Sequence, residues 1–247
     1  MNAIKTRAVF GIVGLSLVGL VASSVSTSGC GGSDETGTAG STGNAGSTGN
    51  AGSTGNAGTG GGSACAAPVG AVITDFAASG TVGAPYTYQD TGLTAPTVST
   101  ASGALEITVN TGVPTTMYPY VGIGLPFNAC VNASTYTGVK FSASGSLTAG
   151  CTIQFSPVDK NHSTTTNNGN CAAADGCYPG SKVFTLGASP TDVTVLWTDI
   201  AGGMAVAGAP VIDPTQILNI QWQINPAGGA APAACTGTVT IDNITFI

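Results

Sequence analysis

From Ala71 onward, apolar and polar positions alternate in short runs broken by turn residues. AVITDF, ALEITV, YPYVGIGL, GVKFSAS, CTIQFSPV, KVFTL, VTVLW, ILNIQWQI and TVTIDNITFI are rich in Val, Ile, Thr and aromatic residues, with Gly, Pro, Asn and Ser between them. A period of two places successive side chains on opposite faces of a strand. No window sustains the helical period of about 3.6 residues. About nine short strands therefore predict an all-β domain, a sandwich or a barrel.

The alternation also assigns faces. In ILNIQWQI, Leu218, Ile220, Trp222 and Ile224 share one side, and Asn219, Gln221 and Gln223 share the other. The apolar side is expected to be core, which makes Trp222 a packing residue rather than an exposed platform. Amides donate and accept hydrogen bonds at once, which suits a hydroxyl-rich ligand; the same row fits a solvated sheet face equally well. Gln154 in CTIQFSPV extends this polar surface if Ile153 and Phe155 point inward. Tyr118 and Tyr120, two apart in YPYVGIGL, share a strand face and serve either the core or a ligand. Asp159 and His162 follow on a polar loop and are placed at the rim of the same site.

The chain before Ala71 lacks this pattern. MNAIKTR is basic, AVFGIVGLSLVGLVASSV is apolar over 18 residues, and STSGC brings small residues up to Cys30. Residues 1–29 read as an export signal rather than part of the fold. A retained membrane helix is the rival reading. TSGC resembles a bacterial lipobox, with Cys30 lipidated, and Gly31 after it resembles the outer-membrane default of lipoprotein sorting. Thr27 stands where such boxes usually carry Leu, which leaves ordinary cleavage and secretion open. The expected location is the outer membrane or cell surface. Residues 30–64 contain three copies of GSTGNA, with nothing larger than Ala, Thr or Asn in the repeat. Such a segment does not offset its chain entropy and reads as a disordered tether spanning about 30–35 Å. Residues 65–247 are left to fold.

Only 6% of the residues are charged, as in exported β-proteins, and the net charge is −6. From Cys65 onward nine acids stand against Lys140, Lys160 and Lys182. Without a basic cluster to neutralise phosphates, nucleic acid is excluded as a partner, and membrane contact is by lipid anchor only. Seven cysteines are an odd set for an exported protein. Lipid on Cys30 leaves an even set, expected as disulfides. Cys171 and Cys177 flank AAADG and are expected to pair; a zinc site needs a second close pair, which the sequence lacks. If the last strand runs antiparallel between the first strand and GVKFSAS, Cys65 comes near Cys130 and Cys151 near Cys235.

Catalytic patterns are sparse. His162 is the sole histidine, and no Gly-x-Ser-x-Gly elbow, phosphate loop, dinucleotide fingerprint or zinc-helix motif occurs. A glycosidase needs two carboxyl groups across the scissile bond. The domain has one Glu, Glu106, inside an alternating strand, and its Asp residues fall mostly at strand ends or in loops. The chain reads as a non-enzyme.

The order of the pieces resembles a known family. ITDF opens the domain, YTYQD follows a glycine-containing loop, and NASTYTGVKFSASG, ILNIQWQI and a final VTIDNITFI complete it. Over about residues 70–247 they resemble the galactose-binding-like jelly rolls, in particular bacterial carbohydrate-binding modules of the glucan-binding kind, as carried by exported lipoproteins behind a Gly-rich tether. FSASG lacks the tryptophan many relatives place there, and Ala77 stands where an acid is common. The resemblance implies an antiparallel two-sheet β-sandwich that binds a polysaccharide or cell-surface glycan without catalysis, as a monomer. It also implies a structural Ca²⁺ between Asp242 in the last strand and Asp75 in ITDF, with Asp90 a weaker ligand. Calcium takes about six to eight oxygens from carboxylates and backbone carbonyls. The competing reading has Asp75 and Asp242 facing solvent or capping turns. The functional alternatives are a structural or adhesive surface lipoprotein with a protein partner, and a glycan-active hydrolase on the same fold.

Overall fold

A computed structural model describes residues 64–77 and 81–247; the expected signal segment and nearly all of the tether lie outside the described residues. Eleven strands are described: β1 (Val72–Thr74), β2 (Tyr86–Gln89), β3 (Thr97–Ser99), β4 (Leu105–Asn110), β5 (Val121–Val131), β6 (Gly138–Leu147), β7 (Thr152–Asp159), β8 (Lys182–Phe184), β9 (Thr191–Leu196), β10 (Ile217–Asn225) and β11 (Thr236–Phe246). One sheet runs β3-β4-β11-β6-β9, with β1 also on β11; the other runs β2-β5-β10-β7-β8. All of these pairings are antiparallel. Most connections step from one sheet to the other, the winding of a jelly-roll sandwich.

The nine alternating runs all contain strands, and two more appear at sheet edges. β2 and β3 are short and make no full alternation of buried and exposed positions, because an edge strand has one neighbour and contributes little to the core. YPYVGIGL is corrected in one respect: β5 starts at Val121, and Tyr118-Pro119-Tyr120 belongs to the preceding loop. Pro119 supplies no N–H to a ladder.

The core lies between the sheets. Trp222, Phe141 and Phe155 are fully buried and meet edge to face or tilted, with ring centroids 5.3–5.6 Å apart. Leu105, Ile107, Ile123, Leu125, Ile220 and Ile241 close around them. Each such side chain contributes about 1.5–3 kcal/mol of hydrophobic stabilisation.

Two bulges reset the alternation. In β10 the pairing shifts between Ile217 and Asn219, so Ile217 takes the core position and Leu218 lines an outer cleft rather than sharing the face of Ile220. In β11 the shift falls between Asp242 and Thr245. Asn243 there has φ 51°, a left-handed conformation that Asn tolerates better than most residues. Its backbone N–H donates to Asp242 Oδ1 at 2.7 Å. The extra residue brings Ile244 and Phe246 inward in line with Val239 and Ile241.

Disulfides join Cys65 to Cys130, Cys151 to Cys235, and Cys171 to Cys177. The first two close loops of 65 and 84 residues. Bridges of that span contribute about 4 kcal/mol each by restricting the unfolded chain.

Candidate functional site

The outer face of the five-stranded sheet carries two polar rows in register. Tyr86 of β2 lies opposite Gly124 of β5, then Gln221 of β10 and Ser156 of β7. Tyr88 lies opposite Gly122, then Gln223 and Gln154. The two glycines make room for the rings, since a Cβ at Gly122 or Gly124 would stand 2.2 Å from Cζ of Tyr88 or Tyr86. The tyrosines thus reach across β5 toward the amides of β10, and Tyr86 Oη donates to Asn219 Oδ1 at 3.4 Å. Gln223 Nε2 donates to Asn225 Oδ1 at 2.7 Å, fixing the next amide along.

The aromatic row continues into the loop before β5. Ring centroids of Tyr86 and Tyr88, and of Tyr88 and Tyr120, are 6.2 Å apart. Asp90 holds this loop. Its backbone N–H donates to the Tyr120 carbonyl at 2.8 Å, and its carboxylate accepts from Thr116 Oγ1 and the Thr91 N–H. Burial pushes the Tyr86 and Tyr88 phenols above their ordinary value of 10.0, and neighbouring Tyr86 and Tyr120 push Tyr88 further. Tyr88 Oη is buried and has no hydrogen-bond partner among the described residues.

A long excursion between β7 and β8 folds over the same face. Its base is Asp159, which is fully buried. Asp159 Oδ1 accepts from the Asn161 and His162 N–H groups at 2.8 and 3.0 Å, and His162 Nδ1 lies 2.8 Å from the same oxygen. Oδ2 accepts from the Asp213 N–H at 2.6 Å, which ties in the loop before β10. The Cys171–Cys177 bridge and the pairings Tyr178–Met204 and Ser181–Ala201 fasten the rest of the excursion.

Two clefts result, of about 810 and 1090 Å³, with Asn167, Cys177, Pro179 and Gln221 in the walls of both. The smaller contains Tyr86, Asn219, Lys160 and His162. The larger contains Tyr88, Tyr118, Tyr120, Gln154, Gln221 and Gln223, and no charged side chain lines it among the described residues.

The structure therefore gathers Tyr118, Tyr120, Gln154, Asn219, Gln221 and Gln223 along one face. Two expected rim residues differ. Asp159 and His162 are buried, because the carboxylate is consumed by backbone donors, and only His162 of the pair reaches a cleft. Tyr118 is not on a strand but 82% exposed on its loop. Sequence reasoning missed Tyr86 and Tyr88 as site residues. Their signal was the spacing in YTYQ, two rings on one strand face, together with the paired glycines of VGIGL.

The two acids expected at a calcium lie at the opposite sheet, Asp242 in β11 and Asp75 just past the end of β1. Thr74 pairs with Ile244, so Asp75 follows at the level of the β11 bulge that bears Asp242. Asp75 Oδ1 accepts from the Ala77 N–H, and Asp242 accepts from the Asn243 backbone and side-chain amides. Among the described residues no group of three or more His, Cys, Asp or Glu side chains is arranged to hold a metal. An ion here would draw most of its oxygens from backbone and water.

No protein-family model matches the sequence, and no curated protein matches it. Among solved structures, the chain is similar to the family 11 carbohydrate-binding module from Clostridium thermocellum, solved in complex with a β-1,3-1,4-mixed-linked tetrasaccharide: 15% identity, TM-score 0.47, 72% of this chain and 94% of that one. The low-affinity xylan-binding module CBM86 from Roseburia intestinalis matches at 12% identity and TM-score 0.32, over 67% of this chain and 96% of that one. The glycoside hydrolase domain of Endo-D from Streptococcus pneumoniae R6 matches at 14% identity and TM-score 0.35, over 67% of this chain and 23% of that one. At these identities and scores the likeness is one of outline, and the ligand has to be read from the cleft itself.

Proposed function

We propose that the protein is a non-catalytic carbohydrate-binding module, tethered outside the cell through Cys30, whose glycan lies across the outer face of the five-stranded sheet. The observation that carries this reading is the aromatic row Tyr86, Tyr88 and Tyr120 set beside the amides Asn219, Gln221, Gln223 and Gln154. Sugar rings offer C–H faces to aromatic rings and hydroxyls to amides. No Asp or Glu lines either cleft among the described residues, so the two carboxyl groups of a glycosidase are not supplied there. A structural calcium at Asp75 and Asp242 belongs to the proposal as a clamp between the first and last strands, in the sheet away from the sugar. One domain carries the whole face, so a monomer suffices.

One observation favours a protein partner instead. Met117, Tyr118 and Tyr178 of the larger cleft are exposed, as is Met204 beside Tyr178, and exposed apolar clusters mark contact surfaces. Affinity electrophoresis of the purified protein through gels containing soluble polysaccharides, neutral and acidic, decides between the two. Retardation by one polymer supports the carbohydrate reading. Unchanged mobility in every gel, with the protein folded, moves the assignment to a protein partner.

A further inference from the structure

Lysine is scarce in the folded domain, and its three copies are placed unequally. Lys140 is paired with Asp192 at 3.4 Å, and Lys182 lines neither cleft. Lys160 lines the smaller cleft, is half-buried, and forms no salt bridge among the described residues. His162, the sole histidine of the chain, lines the same cleft. Its Nδ1 is engaged by Asp159, which leaves Nε2 as the ring nitrogen without a partner among the described residues. Asp159 itself sits beneath the surface, and no Asp or Glu lines the cleft among the described residues. The larger cleft next to it has no charged lining residue among those described.

In a protein of net charge −6, an unpaired ammonium held in a cleft is the complement of an anion. Partial burial lessens the salt screening that weakens exposed pairs, and a charge-assisted hydrogen bond is roughly twice as strong as a neutral one. We infer that the ligand is a hydroxyl-rich glycan bearing an anionic group, a carboxylate or a sulfate ester, held by Lys160 in the smaller cleft, where His162 Nε2 accepts from a sugar hydroxyl, while uncharged sugar rings lie in the larger one. This rests on the carbohydrate reading above and adds the charge of the ligand to it. Gln221, shared by both clefts, is the floor over which the chain passes.

The test is titration calorimetry of the purified protein with matched polymers: a uronate-bearing polysaccharide and its carboxyl-reduced form, and a sulfated polysaccharide and its desulfated form. The inference expects one anionic polymer to bind at least about tenfold tighter than its neutral counterpart. Lys160→Gln should abolish the difference, Lys160→Arg should retain it, and Lys140→Gln and Lys182→Gln should leave it unchanged. The pair that shows the difference tells carboxylate from sulfate. Equal binding of charged and neutral forms overturns the inference and leaves carbohydrate binding standing. A preference that survives in folded Lys160→Gln overturns it too, because the anion is then held elsewhere. Absence of binding to all four polymers removes the carbohydrate reading, and this inference with it.

Discussion

The Tyr88 ring covers Gly122 of the neighbouring strand, and a Cβ built on that glycine would stand 2.2 Å from Tyr88 Cζ. A flexible ring tip is what it would meet, so the sheet itself survives the added methyl. Gly122→Ala should displace the ring, cost about 1–3 kcal/mol of stability as overpacking does, and abolish retention by whichever polysaccharide retards the parent. Undiminished retention would show that Tyr88 is no part of the sugar platform.

Tyr88→Phe separates binding from stability. The Tyr88 hydroxyl is buried without a partner among the described residues, and such a group costs about 1–3 kcal/mol. Its removal should leave the Tm unchanged or raise it, yet weaken glycan binding by about tenfold or more if a sugar hydroxyl is its missing partner. A fall in Tm would mean that the hydroxyl is already satisfied, and intact affinity would mean that the ligand does not use it.

The same residue gives an alkaline signature. Burial, with the neighbouring tyrosines, raises the Tyr88 phenol above 10.0, so the folded protein keeps a proton that the unfolded chain releases. The contribution is fully present below pH 10 and is lost as pH rises beyond it, at about 1.4 kcal/mol per pH unit for this one group. Chemical denaturation from pH 9 to 12 should show stability falling above pH 10, and less steeply in Tyr88→Phe. Parallel curves for the two proteins would contradict the assignment.

Asp159 ties the excursion between β7 and β8 to the loop before β10 through a carboxylate that accepts backbone N–H groups of Asn161, His162 and Asp213. Asp159→Ala should lower stability by about 3–5 kcal/mol, the scale of removing one partner from a buried charged network. Proteolysis should then begin in the excursion between β7 and β8 before the rest of the domain. Wild-type protease resistance in that segment would refute the anchoring role.

A calcium clamp at Asp75 and Asp242 predicts that millimolar calcium raises the Tm of the parent and not of Asp242→Ala. A flat response in both would leave Asp242 with the one role visible in the bulge, accepting from Asn243. Asn243→Gly should then be nearly neutral and Asn243→Val strongly destabilising, since φ is 51° there.

Much of the core was legible from spacing. Ile220, Trp222 and Ile224 alternate with amides in the sequence and are buried in the structure, because a strand packed on one face tolerates little else. The amide row was legible for the same reason. Leu218 was misassigned, since a bulge is a property of the pairing and no local pattern announced it. The break at Asp242–Asn243 was readable in principle: the buried positions 239, 241, 244 and 246 change phase there. Tyr86 and Tyr88 escaped notice because their partners are glycines of another strand, about 35 residues away along the chain.

What the sequence determined by itself is whatever depends on local period and composition: an all-β domain, the faces of its long strands, an acidic surface poor in lysine, and an N-terminal segment unlike the rest. The tertiary structure decided which polar residues share a cleft, because strands adjacent in a jelly roll are distant in sequence. It turned Asp159 from a rim acid into a buried anchor by surrounding it with backbone N–H groups. It also left Lys160 without a salt bridge among the described residues in the cleft beside His162, an arrangement of charge and burial that no spacing of residues along the chain encodes.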